Sequence, residues 1–112
     1  MSPRKAIALT KSTGNVFADL RVEGAEEALA KAELARTIST IITTRRLSQT
    51  EAARRLGIDQ PKVSALTRGR LEGFSIDRLL RFLLALDRDI EIVVKPKSRG
   101  HTTGRVEVVA TR

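Results

Sequence analysis

The chain has 112 residues, of which 21 are Lys or Arg and 13 Asp or Glu, giving a formal charge of +8; it contains no Cys, Trp or Tyr. That length suits one compact domain, the lack of Cys excludes disulfides and thiolate metal sites, and with three Phe as its aromatic residues the core falls to Leu, Ile, Val and Ala, which suits packed helices. No apolar run is long enough for a transmembrane helix, and the four-residue apolar stretch in MSPRKAIALT is too short for a signal peptide, so the expectation is a cytoplasmic protein with no membrane association.

Residues 1–24 read as a flexible N-terminal arm: the first thirteen are rich in charged and polar residues and lack periodicity, and Asn15–Leu20 reads as a short strand or extended piece; either its Val16, Phe17 and Leu20 cover the core or residues 1–24 grip a partner protein. A first helix is expected from about Ala25 to Thr44. Glu26 and Glu27 stand in its first turn and Arg45 and Arg46 at its end, as the helix dipole favours. Leu34, Ile38, Ile41 and Ile42 form its buried stripe.

Leu47–Gly69, LSQTEAARRLGIDQPKVSALTRG, predicts two short helices joined by a tight turn. Ser48 and Glu51 have capping-box spacing. Ala52, Ala53 and Leu56 supply one apolar face, Arg54 and Arg55 complement the last turn, and Gly57 stands where a left-handed residue ends a helix. Asp59 then caps a second helix, with Ile58 and Val63 spaced as a hydrophobic staple and Pro61 near the start, where a missing N–H is harmless. Val63 and Leu66 face the core, which leaves Gln60, Lys62, Ser64 and Thr67 on other faces. Two short helices in this arrangement make a helix-turn-helix, a DNA-docking unit.

Arg68 to Phe74 reads as a loop with Gly69 and Gly73. Ser75 caps a fourth helix, with Phe74 and Leu79 as its staple and Leu79, Leu80, Phe82, Leu83 and Leu86 as a wide apolar face. The period then changes to two. Ile90, Ile92 and Val94 alternate within Asp89–Lys95, and Val106, Val108 and Ala110 within Arg105–Thr111, so both segments are expected to be strands. The link between them, Pro96 to Gly104, is long for a hairpin. Two strands alone are marginal, so the pair is expected to meet a second copy across a two-fold axis. The expected organisation is an arm over 1–24, a helical helix-turn-helix domain over 25–88 and a β dimerisation element over 89–112.

Charge follows the motif: residues 45–70 carry seven basic and two acidic side chains, a net +5, against +1 for residues 1–44 and +2 for residues 71–112. A basic excess on the docking element is what phosphate binding requires. Gln60, Lys62, Ser64 and Thr67 are the candidates for base contact, and Gln49, Arg55, Arg68 and Arg70 for phosphate contact. Arg45, Arg46 and Arg54 read as solvated or weakly steering. His101 is the lone histidine, in a polar loop without carboxylates at ligand spacing, so neither a metal nor any other cofactor is expected. No nucleophile–base pair or glycine-rich phosphate cradle is present, and no aromatic platform for RNA bases. The expectation is a non-enzyme.

The Leu47–Gly69 segment resembles the Cro/phage-repressor (Xre) helix-turn-helix family. The resemblance implies a lambda-repressor-like helical domain, mostly α. It also implies that Gln49 braces Gln60 and touches phosphate while Gln60 reads adenine, a task for which the glutamine amide donates and accepts together. Gly14–Leu20, Ala25–Ala35, Gly57–Leu66 and Gly73–Leu83 further resemble small HigA-like antitoxins, which are encoded beside RelE-like toxins. The chain departs from that pattern at Arg21-Val22-Glu23-Gly24, at Thr67, where leucine is common, and at Asp87, where glycine is expected. The expected function is a homodimeric, sequence-specific repressor on an inverted-repeat operator in double-stranded DNA, autoregulating a toxin–antitoxin pair. The alternatives are a protein whose main task is to neutralise a RelE-like RNase toxin, through acidic patches such as Asp19, Glu23, Glu26, Glu27 and Glu33, and a stand-alone phage-type regulator.

Overall fold

Apolar residues at helical spacing and a polar cap before each short run produce four helices in the computed structural model, which describes residues 24–111. They are α1 Gly24–Thr44, α2 Gln49–Leu56, α3 Gln60–Thr67 and α4 Ile76–Ala85. Three begin at a side-chain cap: Ser48 Oγ accepts from Glu51 N, Asp59 Oδ1 from Lys62 N and Ser75 Oγ from Arg78 N. At α2 the box is reciprocal, since Ser48 N donates to Glu51 Oε1 at 2.8 Å. Each cap satisfies a backbone donor that has no partner within its own helix.

All four helices end the same way. A residue in the left-handed region follows each one, and the N–H after it returns to the carbonyl five residues back. These bonds are Leu47 N to Ile42 O, Ile58 N to Ala53 O, Arg70 N to Ala65 O and Arg88 N to Leu83 O, all at 2.9–3.1 Å. Gly57 and Gly69 take the turn without a Cβ penalty, at φ 72° and 79°. Arg46 and Asp87 adopt it with side chains attached, at φ 55° and 66°. Asp87 thus occupies a turn that favours glycine, and aspartate is one of the few side chains that tolerates it.

The buried faces converge on one core. α1 packs on α4 and α3, and α2 on α3 and α4. Ile38, Val63, Leu66, Leu79 and Leu86 are almost wholly enclosed, and no polar side chain among the described residues is buried. Phe74 and Phe82 meet edge to face, with centroids 5.9 Å apart. The Arg78 guanidinium lies over both rings and donates to Gly73 O. Arg78 therefore ties the α3–α4 loop to the first turn of α4.

The expected β element is not seen among the described residues. Among the described residues there is no strand, and Asp89–Lys95 and Arg105–Thr111 form no ladder with each other. Each instead places one apolar side chain against the helical core, Ile90 and Val108 respectively. Val106 N donates to Glu26 Oε1 at 3.3 Å and so fastens the end of the chain to the first turn of α1. The alternating pattern reports which residues face the core; it does not supply a neighbouring strand, and a ladder needs both. The expected arm, with its Gly14–Leu20 segment, lies outside the described residues.

Candidate nucleic-acid interface

The α2–α3 unit is held from beneath by Ala52, Ala53, Leu56, Val63 and Leu66, all buried. That anchoring fixes the opposite faces. Gln49, Gln60, Lys62, Thr67, Arg68 and Arg70 are exposed and Ser64 is half-buried. Gln60, Lys62, Ser64 and Thr67 thus come from the successive turns of one eight-residue helix. Arg68 and Arg70 flank the left-handed Gly69 just beyond its end.

Gln60 is braced, but by a different residue from the one the resemblance implies. Its Nε2 donates to Thr50 Oγ1 at 3.0 Å, across the turn between the helices. Thr50 is the second residue of α2, one position after Gln49. The bond consumes one amide donor and leaves the carbonyl oxygen and the second N–H for a ligand. Sequence reading passed over Thr50 because an exposed threonine in a first helical turn carries no signal of its own. Thr67 Oγ1 turns back to donate to Ser64 O at 3.1 Å, so its hydroxyl proton is engaged within the helix while its oxygen can still accept.

The cations divide into two groups. Arg45 and Arg55 both approach Asp87 Oδ2, at 3.6 and 3.7 Å. These contacts join the ends of α1, α2 and α4, and they partly neutralise Arg55, one of the expected phosphate ligands. Arg54, Lys62, Arg68 and Arg70 form no ion pair among the described residues. Lys62 with Arg68 and Arg70 therefore brackets α3 with unneutralised positive charge.

Glu51, inside the capping box, is held below the ordinary glutamate range. The bond from Ser48 N is the main cause, followed by the Ser48 hydroxyl and then by Arg54 and Arg55. The acidic residues of α1 have partners within the chain: Glu27 pairs with Lys31 at 3.3 Å, Glu33 with Arg36 at 2.9 Å, and Glu26 accepts from Val106 N. Asp19 and Glu23 lie outside the described residues. No group of His, Asp and Glu suited to a metal occurs among the described residues, and none of their helices is long and apolar enough to cross a membrane.

A helix-turn-helix domain family matches residues 16–95. A solved structure of a provisionally assigned XRE family transcriptional regulator is 50% identical, covers 80% of this chain and 100% of its own, and superposes with a TM-score of 0.74. The chain belongs to the XRE family of helix-turn-helix regulators. No curated protein matches it. As an XRE-family member it is a DNA-binding transcriptional regulator, of a family that is not enzymatic. The family match begins at residue 16 and runs to residue 95, so it includes residues 16–20 and the Asp89–Lys95 segment after α4.

Proposed function

We propose that this XRE-family regulator is a dimeric, sequence-specific repressor that occludes a promoter by binding a short inverted repeat. The observation that carries the proposal is the Gln60–Thr50 bond: an exposed recognition-helix amide held in one orientation, with its remaining donor and acceptor turned to solvent. A pre-oriented amide of this kind suits the adenine N6/N7 edge in the major groove. Lys62, Ser64 and Thr67 extend the readout along α3, and Gln49, Arg68 and Arg70 hold phosphates, with Arg55 a weaker contributor because of Asp87. Two copies bound to a palindromic site would place their α3 helices about one helical turn apart.

The operator proposed is the protein's own promoter, and the biological role is that of an autoregulating antitoxin. Support for that role comes from the sequence likeness to HigA-like antitoxins. The partner would be a RelE-like toxin encoded alongside, and the toxin-binding segment is assigned to the N-terminal arm, because Glu26, Glu27 and Glu33 are already engaged on α1.

The test is binding of a labelled duplex from immediately upstream of the gene, against a shuffled duplex, over a salt series. Tight binding to the upstream duplex alone, surviving moderate salt, supports the repressor. Equal and salt-labile binding to both duplexes would reduce the basic motif to non-specific attraction. For the antitoxin role, co-expression of the adjoining frame should yield a complex that is lost when residues 1–20 are removed; an intact complex would refute that assignment of the arm.

A further inference from the structure

The net +2 of residues 71–112 conceals two opposite parts. Residues 71–94 carry three basic and five acidic side chains, a net −2, whereas residues 95–105, KPKSRGHTTGR, carry four basic side chains and no acidic one, a net +4. The chain thus has a second basic centre, separate in sequence from the helix-turn-helix. The helix-turn-helix family match ends at residue 95, so all of this stretch but Lys95 lies beyond the matched domain.

The stretch is a loop with a defined turn. Ile90 before it and Val108 after it pack against the helical core, and Val106 N donates to Glu26 Oε1, so both ends are fastened to the helical body. Inside the loop, His101 N donates to Ser98 O at 3.3 Å and Gly100 N to Ser98 Oγ at 3.4 Å. Lys97 Nζ donates to Ser98 O at 3.1 Å and to His101 O, which engages its ammonium in closing the turn. Lys95, Arg99 and Arg105 are exposed and form no ion pair among the described residues. Arg105 stands two residues from Glu107, on the same face of an extended chain, so Lys95 and Arg99 are the least compensated cations.

Like charges gathered this closely repel one another, and a polyanion relieves the repulsion. Duplex DNA, which carries one negative charge per roughly 1.7 Å of axis, is the polyanion that an XRE-family chain meets. Residues 95–105 contain no aromatic side chain on which an unpaired base would stack, so the loop suits the phosphates of a duplex. We propose that the Lys95–Arg105 loop is a second DNA contact, in which Lys95 and Arg99 hold backbone phosphates other than those met by the helix-turn-helix. The inference goes beyond the repressor reading and needs only the DNA binding of the family. Phosphate contacts position a protein without reading sequence, so the loop adds affinity and salt dependence to every duplex alike.

The test is the salt dependence of binding by the full-length chain carrying Lys95→Gln and Arg99→Gln, on the duplex from upstream of the gene and on a shuffled one. The slope of log affinity against log salt should fall by about two units on both duplexes. Between about 50 and 200 mM salt the wild type should then lose roughly tenfold more affinity than the variant. The preference for the upstream duplex should not change. Arg36→Gln with Arg81→Gln removes the same charge from residues paired with Glu33 and Asp77, and should leave the slope as it was. Circular dichroism should show wild-type helical content in both variants, since all four positions are exposed. An unchanged slope in the loop variant would overturn the proposal and turn the loop's charge toward an acidic partner protein. An equal fall in the Arg36/Arg81 variant, or a loss confined to the upstream duplex, would overturn it as well. The slope is read on either duplex, so a chain that binds both duplexes equally refutes the repressor reading and leaves the loop's contribution measurable.

Discussion

Thr50→Val isolates the device that orients the recognition helix, because it removes the hydroxyl that receives the Gln60 amide while preserving shape at an exposed position. The bond is 3.0 Å long and solvent-exposed, so its net worth is at the lower end for a neutral hydrogen bond, about 0.5–1 kcal/mol. Immobilising a flexible glutamine on binding costs a similar amount, roughly 0.5–1.5 kcal/mol. Without Thr50 that cost falls on the binding step, and affinity for the true site should drop about two- to fivefold. Gln60→Ala, which would remove the proposed base contact, should cost about 1–3 kcal/mol and relax specificity at one base pair. Anisotropy of a labelled operator duplex is the suitable assay, with the label on DNA because the chain has no Trp or Tyr. The decisive sample is the double variant. If Thr50 acts only through Gln60, Thr50→Val should have no further effect once residue 60 is alanine. A full two- to fivefold loss in that background would refute the bracing role and make Thr50 a DNA ligand in its own right.

Other outcomes are as direct. Arg68→Ala should weaken binding to all duplexes alike and lower the salt slope by about one unit; a loss confined to the operator would assign Arg68 to base reading instead. Arg46→Gly should stabilise the fold by about 0.5–1 kcal/mol, the roughly 1–2 kcal/mol cost of a left-handed side chain less the extra freedom of glycine in the unfolded chain. Arg46→Ala keeps the Cβ and should gain nothing, so equal shifts for the two variants in thermal melts would exclude the backbone as the cause. Ser48→Ala should cost about 1 kcal/mol by opening the capping box, measured by urea unfolding. Because the folded pKa of Glu51 is depressed, the unfolded chain binds the proton more readily; the associated stability is present above the unfolded pKa and is lost as pH falls through the folded one. Glu51→Gln keeps the box but should flatten that part of the acid limb, and an unchanged acid profile would assign it to other carboxylates.

What was legible in the sequence was local chemistry. Ser48, Glu51, Asp59 and Ser75 announce helix starts because a cap involves residues three apart, and Gly57 announces a stop because one backbone conformation suits it. The buried stripe of α1 and the wide face of α4 follow from the helical period alone. The interactions that shape the candidate interface are of another kind. Thr50 meets Gln60 across the turn, and Arg45, Arg55 and Asp87 meet from three helix ends; nothing in the spacing of these residues indicates their approach. The same limit explains the strands. Alternation in Asp89–Lys95 is a property of one segment, whereas a ladder is a property of two, and no strand forms among the described residues.

Asp87 departs from the HigA-like pattern at a residue that joins three helix ends. In the sequence it is an acidic residue where glycine is expected. In the fold it holds that glycine's left-handed backbone at φ 66° and sets its carboxylate 3.6–3.7 Å from Arg45 and Arg55. Exposed pairs of this length contribute little to stability, at most about 1 kcal/mol, so the benefit must be sought elsewhere. Asp87 partly neutralises Arg55 and leaves Arg54, Lys62, Arg68 and Arg70 unpaired among the described residues, so the balance of unneutralised charge lies toward α3 and the loop after it. Phosphate attraction acts over about 8 Å at physiological salt, a distance over which such a shift alters how a helix approaches the groove. If α3 reads bases as proposed, charge concentrated around it favours docking, and Asp87→Asn should then weaken binding to the operator; unchanged affinity would refute the role.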